Sequence, residues 1–598
     1  MRRIFLLTGL LALIAAATGA HVLDSALAGQ AATQGKSKAN ERRANSITGR
    51  VINEAGQPIA NATVRANLMA KRFTFRMAAT DDDGRFRIDD LTRGVYNILA
   101  YAPGYTSFTN LAEQRFYRAG DTVNFTLTKG GAITGAVTNS SGEPLVAVRV
   151  AAIRVRDLEG HPIRAPGPGA ERRTDDRGVF RIYGLPPGVY IVLASGNRFS
   201  SYQPSPYDED VPTYYPSSTR DAATPITLQQ GGEVTGIDIR YRSERGHAIS
   251  GNIAGPSAVN QSSSIELVDV SSNQIMGQQG INLRGDNTSF AFAFYGVPDG
   301  EYYVTARRYG GEEADGGVGR VRVKVKGADV TGLKIPMTSY ASIAGRISLE
   351  RISEAEQKSK CESQQGMSFD EILISASRDR KADAKDETYS RFISYSVAAP
   401  TGKGEFKLNN IEAGRYHIEP GSISEDWYIR AITLPAAAQD KPPVDASRNG
   451  VAVKAGDHLT GMSVTITEGA AGLRGRILPS SDAARLPDRL RVHLVPAEKE
   501  AADETLRFAE AVAQSDGTFS LKNIAPGRYL LTARTIPDEE AAERTLRHVA
   551  WDAEGRKLLR QEAETSGVIL ELQPCQRIVD HVLRYTPPAT KPAPIRKP

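Results

Sequence analysis

The stretch Thr80-Asp81-Asp82-Asp83-Gly84-Arg85-Phe86-Arg87-Ile88-Asp89-Asp90-Leu91-Thr92-Arg93-Gly94-Val95-Tyr96 decides how this chain is read, because its skeleton recurs. It returns as Gly178-x-Phe180-x-Ile182-x-x-Leu185-x-x-Gly188-x-Tyr190 and as Gly404-x-Phe406-x-Leu408-x-x-Ile411-x-x-Gly414-x-Tyr416. It returns again as Gly517-x-Phe519-x-Leu521-x-x-Ile524-x-x-Gly527-x-Tyr529. A degraded copy, Phe292-x-Phe294-x-x-Val297-x-x-Gly300-x-Tyr302, carries Phe290 in place of the first glycine. Phe-x-Ile puts two apolar side chains on one face of a strand. The leading glycine follows an Asp/Thr-rich turn that asks for a positive φ. The next apolar residue can plug the end of a sandwich. The second glycine leads into a strand whose Tyr can bury its ring and bond its hydroxyl to nearby backbone, like the tyrosine corner of Ig-type sandwiches. Gly84, Gly94, Tyr96, Gly178, Gly188, Tyr190, Tyr302, Gly404, Gly414, Tyr416, Gly517, Gly527 and Tyr529 are therefore read as structural.

Upstream of each copy lies an opening strand with a central glycine: Gly49, Gly135, Gly251, Gly345 and Gly475. An alternating closing strand follows each copy, as in Phe125-x-Leu127, Ile237-x-Ile239, Leu333-x-Ile335 and Met462-x-Val464; for the fifth, Val568 to Leu572 is the expected close. The opening glycines are 86, 116, 94 and 130 residues apart, which is domain spacing and not solenoid spacing. The chain is thus expected to be all-β, a tandem array of five sandwiches on a string at 46–129, 130–242, 246–338, 340–468 and 470–575, with residues 576–598 as a Pro-rich tail. Glu539 to Glu564 reads as a helical segment in two pieces, broken near Asp552–Gly555 and packing on the fifth sandwich through Leu546, Val549, Leu558 and Leu559.

The pattern from Ile47 to Tyr105 resembles carboxypeptidase regulatory-like domains, relatives of the Cna B-type domains of bacterial surface proteins. The resemblance implies a prealbumin-like (transthyretin-like) Greek-key fold of about seven strands in each module. It covers roughly residues 46 to 575, and is closest in the first two modules. It specifies fold more than function, since the family serves as an accessory module beside many partners.

Composition agrees with a turn-rich β protein: 55 Gly and 32 Pro in 598 residues. Of the formal charge of +5, a leader over 1–28 contributes +1 and the tail 586–598 contributes +3, so the body is near neutral and offers no electrostatic case for nucleic acid. Met1-Arg2-Arg3, the apolar run from Ile4 to Ala17 and Ala26-Leu27-Ala28 read as a secretory signal over 1–28, followed by a linker over 29–45. This predicts an exported protein, periplasmic or extracellular, with no transmembrane span in the mature chain. Cys361 and Cys575 are the only cysteines, and export permits a disulfide between them.

No catalytic or cofactor motif is legible. The eight histidines are dispersed, none begins an H-x-x-E zinc pair, and no nucleophile elbow or P-loop occurs. Asp81-Asp82-Asp83-Gly84 and Asp175-Asp176-Arg177-Gly178 read as hairpin turns before calcium loops. The leading ligand candidate is the loop bearing Tyr202, Tyr207, Asp208, Asp210, Tyr214 and Tyr215, where rings beside carboxylates could stack on sugars; the alternative reading is that these rings pack the loop onto the second sandwich. The expectation is a non-catalytic, exported binding or scaffolding protein with no cofactor. Its partner would be a polysaccharide or, alternatively, another exported or envelope protein such as a peptidase, an outer-membrane transporter or an adhesion system.

Overall fold

A computed structural model describes residues 45–585, apart from 71–73, 107–115, 164–169, 197–204, 254–261, 283–289, 310–315, 353–366, 380–394, 422–423, 437–440, 481–484, 488 and 538–546. The chain divides into two compact units, one holding Met1–Ala102 with Arg115–Leu127 and the other holding the rest. The first unit contains one two-sheet sandwich and the second contains four more.

One plan serves all five. The opening strand pairs antiparallel with the phrase strand and parallel with the closing strand. In the first sandwich these are Ile47–Asn53, Arg85–Ile88 and Thr122–Lys129. The tyrosine strand, Val95–Tyr101, belongs to the facing sheet and pairs with Thr63–Leu68. The chain therefore changes sheets inside the phrase, between Phe-x-Ile and Gly-x-Tyr. Phe86, Ile88, Leu91 and Tyr96 are all buried at this crossing.

Opening glycine and phrase phenylalanine are cross-strand partners every time: Gly49 with Phe86, Gly135 with Phe180, Gly251 with Phe292, Gly345 with Phe406 and Gly475 with Phe519. On its other side each glycine meets the closing strand. A Cβ there would lie 1.7 Å from Val123 O, 2.0 Å from Ile237 O, 2.0 Å from Leu333 O, 2.3 Å from Met462 O and 2.3 Å from His581 O, respectively. Close approach of the closing strand is why the position is glycine.

Three expectations are corrected. Arg577–Tyr585 is no tail: it is the closing strand of the fifth sandwich, parallel to Ala471–Pro479, with Leu583 and Tyr585 buried. Val568–Leu572, the expected close, instead borders the tyrosine strand Gly527–Thr535 in the facing sheet. The sandwiches of the second unit are also not free beads. The second touches the third through Arg220 and Gln274, and the fifth through Arg489 and Asp157. The fourth and fifth are joined by Asn523, whose Nδ2 donates to Ser424 O and Trp427 O, and by Arg577 on Asp426.

The helical segment is a 3-10 turn, Val549–Trp551, followed by the α-helix Ala553–Ser566, whose N-cap Asp552 accepts from Glu554 N. Leu559 and Ala563 pack against Val495 and Leu530 of the fifth sandwich, while Leu558 is exposed. Leu546 lies outside the described residues.

Candidate functional site

Among the described residues, the loop named as ligand candidate packs its rings against the second sandwich. Thr213–Tyr214 is a short strand paired with Leu193 and Ala194, and Tyr214 is 3% exposed. Tyr215 packs on the core of the second sandwich. Tyr207 lies edge-on to buried Tyr241 at 5.6 Å and donates to Val146 O. Asp208 accepts from Ser205 N, and burial raises the Asp210 pKa. The expectation is corrected for Tyr214, whose ring is buried in a small apolar cluster with Ala151, Ile153, Ile191 and Leu193, and it loses support at Tyr207 and Tyr215. Tyr202 lies outside the described residues.

The Asp-rich turns close on themselves. Asp81 Oδ1 accepts from Asp83 N and Arg85 N, and Asp175 Oδ1 from Arg177 N and Val179 N. Asp157, Glu159 and His161 also converge, but Arg489 stands 3.2 Å from Asp157 Oδ2, so a cation already occupies that cluster. Cys575 has a positive φ and its amide donates to Gly469 O. Cys361 lies outside the described residues. The Cys361–Cys575 pair stays a proposal, and peptide mapping without reductant is expected to recover the linked peptides; two separate thiol peptides would refute it.

The densest chemistry lies between the fourth and fifth sandwiches, where three of the eight histidines meet. The strand Gly414–Gly421 turns Tyr416 and Ile418 into its own core and His417 and Glu419 outward. The strand Leu490–Pro496 does likewise, with Val492 and Leu494 inward and Arg491 and His493 outward. The outward faces are covered too: His417 is buried with its core neighbours, and Leu490–Pro496 is buried along its whole length.

Two carboxylates organise the cluster. Asp379, 2% exposed, takes both Arg547 Nε and Nη2 at 2.8 Å and His417 Nε2 at 3.3 Å. Burial alone would raise its pKa, but His417 and Arg547 hold it well below the carboxylate range. The His417 ring stacks flat on Trp551 at 4.1 Å. Glu510 meets His548 at 3.1 Å, His493 at 3.4 Å and Arg491 at 3.4 Å. Burial opposes its charge, yet the bonds from His493 and His548 hold its pKa well below normal. Burial lowers the pKa of His493 against the pull of Glu510. Desolvation also opposes charge on His548, but Glu510 and then Glu419 outweigh it and raise its pKa to about 9.

Carboxylates held this low are weak bases at neutral pH, and each is already engaged by arginine or histidine. The cluster latches two sandwiches together. Its pH dependence follows from His548. A raised folded pKa stabilises fully below about pH 6.5 and fades as pH rises through about 9. The melting temperature is expected to fall across that window, modestly, because His548 is 47% exposed and solvent screens the pair. Glu510→Gln should flatten the slope; an unchanged slope would remove His548 from the latch.

Beside the latch lies an open cleft of about 310 Å³, lined by Tyr428, Arg430, Asp445, Ser447, Glu504 and Arg507 together with the strand backbone from Ile429 to Thr433. The latch and the cleft both escaped sequence reading, because their residues come from two modules and share no linear motif.

The first sandwich has a recognisable sequence family. Residues 46–128 match the carboxypeptidase regulatory-like domain. No curated protein matches the chain. Among solved structures it is similar to the minor pilin of Streptococcus agalactiae, at 16% identity over 36% of this chain and 98% of that one, with a TM-score of 0.18. It is also similar to the full-length major pilin of Corynebacterium diphtheriae, at 11% identity over 57% and 98%, with a TM-score of 0.13. A third is the Bacillus anthracis TIE protein, at 13% identity and a TM-score of 0.13, where the match spans 49% of this chain and half of that one. Superpositions this poor leave the functional reading to this chain's own residues.

Proposed function

We propose that this chain is an exported, non-catalytic binding scaffold, and that carbohydrate is the ligand class it takes. The observation that supports this best is the use of its ionisable side chains. Asp379, His417, Glu510, His548, Arg491 and Arg547 neutralise one another between two sandwiches, and no carboxylate among them is left as a base. What this junction offers a ligand is therefore surface and cleft rather than reactive groups. No helix of the described residues is long and apolar enough to cross a membrane. Binding of the purified full chain to immobilised neutral and acidic polysaccharides tests the reading. Retention on at least one polymer, without release of soluble sugar, is expected; retention on none would refute the carbohydrate assignment.

One observation favours a protein partner. In the first sandwich Phe75, Met77, Leu99 and Tyr101 are exposed on one sheet face, where register puts Arg65 between Met77 and Leu99. The Arg65 guanidinium lies 4.0 Å from the Phe75 ring centre. Loss of pull-down of an envelope protein by Met77→Glu, with sugar binding intact, would establish that second reading.

A further inference from the structure

We infer that the cleft between the fourth and fifth sandwiches is a saccharide site anchored by Tyr428; this rests on the carbohydrate reading above and gives it an address. A junction between two domains is a preferred place for a small-molecule site, and about 310 Å³ lies at the low end of the range for such clefts. That volume admits a compact ligand of one or two rings and not an added β-strand.

The lining is mixed in the way a polyol requires. Each sugar hydroxyl both donates and accepts, so it needs donors and acceptors side by side. Arg430, Arg507 and the Tyr428 hydroxyl supply donors, while Asp445 and Glu504 supply acceptors. The Tyr428 ring is half-buried, and its hydroxyl makes no hydrogen bond among the described residues. The backbone adds further groups. The strand Trp427–Leu434 is bordered on its cleft side by Val444–Asp445, which pairs only with Thr433 and Leu434. Among the described residues the remainder of that edge has no partner strand.

The walls are already fixed. Arg507 is tied through Nη2 to Glu498 at 3.1 Å and through Nε to Tyr529 Oη at 3.5 Å, which leaves Nη1 without a hydrogen bond among the described residues. Arg430 is tied to Glu350 at 2.7 Å. Asp445 caps Ser447, and Thr505 Oγ1 donates to Ser447 Oγ at 3.0 Å across the two sandwiches. A ligand would therefore meet a preorganised surface and order few side chains on arrival.

The test is calorimetric titration of the full chain with tetrasaccharides of β-glucan, xylan, chitin and polyuronate. At least one is expected to bind. Tyr428→Ala, which removes ring and hydroxyl, should weaken it about tenfold, and Tyr428→Phe by a smaller factor. Glu504→Ala changes an exposed loop side chain, keeps the fold, and should weaken binding several-fold. If a saccharide binds the parent chain and equally well the Tyr428→Phe and Glu504→Ala variants, the cleft is overturned while the carbohydrate reading stands. If none binds the parent chain, both fall together.

Discussion

Tyr190→Ala is expected to lower the stability of the second sandwich by about 3–5 kcal/mol, the range for truncating a buried aromatic. Tyr190 is 1% exposed and stands in one cluster with Ile133, Phe180, Val192 and Leu228. Its hydroxyl donates to Pro186 O at 2.6 Å, four residues back across the sheet-to-sheet crossing. Alanine would open a cavity and leave that carbonyl without its partner. Tyr190→Phe separates the two effects: the ring stays and only the hydrogen bond goes, for about 1 kcal/mol. Urea unfolding of the full chain, followed by proteolysis to locate the loosened segment, distinguishes them. Equal costs for the two variants would mean that the hydroxyl and not the ring holds the corner. The same bond recurs as Tyr96 to Thr92 O, Tyr302 to Pro298 O, Tyr416 to Glu412 O and Tyr529 to Ala525 O. None of the five rings is more than 3% exposed, so they cannot form a binding stripe along the array.

These tyrosines were readable because the residues that mark them lie within a dozen positions, although the side chains that bury them, such as Ile133 and Leu228 around Tyr190, come from distant strands. Turn, strand, plug and second glycine are local chemistry, and repetition averages out the noise. A further local signal went unread. Asp90, Gly184, Gly296, Asn410 and Asn523 hold the same phrase position and all have positive φ, just before the apolar plug. Residues tolerant of that conformation recur there, and a kink in the phrase strand could have been inferred from them. The tyrosine-rich loop was ambiguous for the opposite reason. Rings beside carboxylates made it the ligand candidate, but Tyr214 is on a strand whose pairing with Leu193 places its ring in a second apolar cluster with Ala151, Ile153 and Ile191, apart from the main core. The latch was beyond local reading altogether. Asp379 and Arg547 are 168 residues apart, and each looks like an ordinary surface charge until two sandwiches meet. The end of the fifth sandwich failed on a subtler point. Arg577–Tyr585 has only Leu583 and Tyr585 fully buried, so its apolar alternation is thin and a Pro-rich tail follows closely.

The opening glycines carry the sharpest test of the plan itself. Gly49→Ala is expected to cost the first sandwich about 3 kcal/mol or more, at the upper end for overpacking. A methyl at Gly49 would lie 1.7 Å from Val123 O and 2.9 Å from Phe86 Cε1. The ring could rotate aside, but the carbonyl belongs to a parallel strand held in register from Thr48–Thr122 to Asn53–Leu127. Relief therefore requires the closing strand to move as a whole, which would expose Val123 and Leu127. Because Gly49 and Val123 lie in the same compact unit, the loss should appear as an early melting step assigned to residues 46–102 and 115–127, with the remaining sandwiches melting as before. Gly56→Ala is the control. It sits in a turn at φ 75° with nothing within 4 Å of an added Cβ, so it reports backbone strain alone, on the order of 1 kcal/mol. If Gly49→Ala costs no more than Gly56→Ala, the closing strand yields easily, and close approach is not what keeps glycine in all five opening strands.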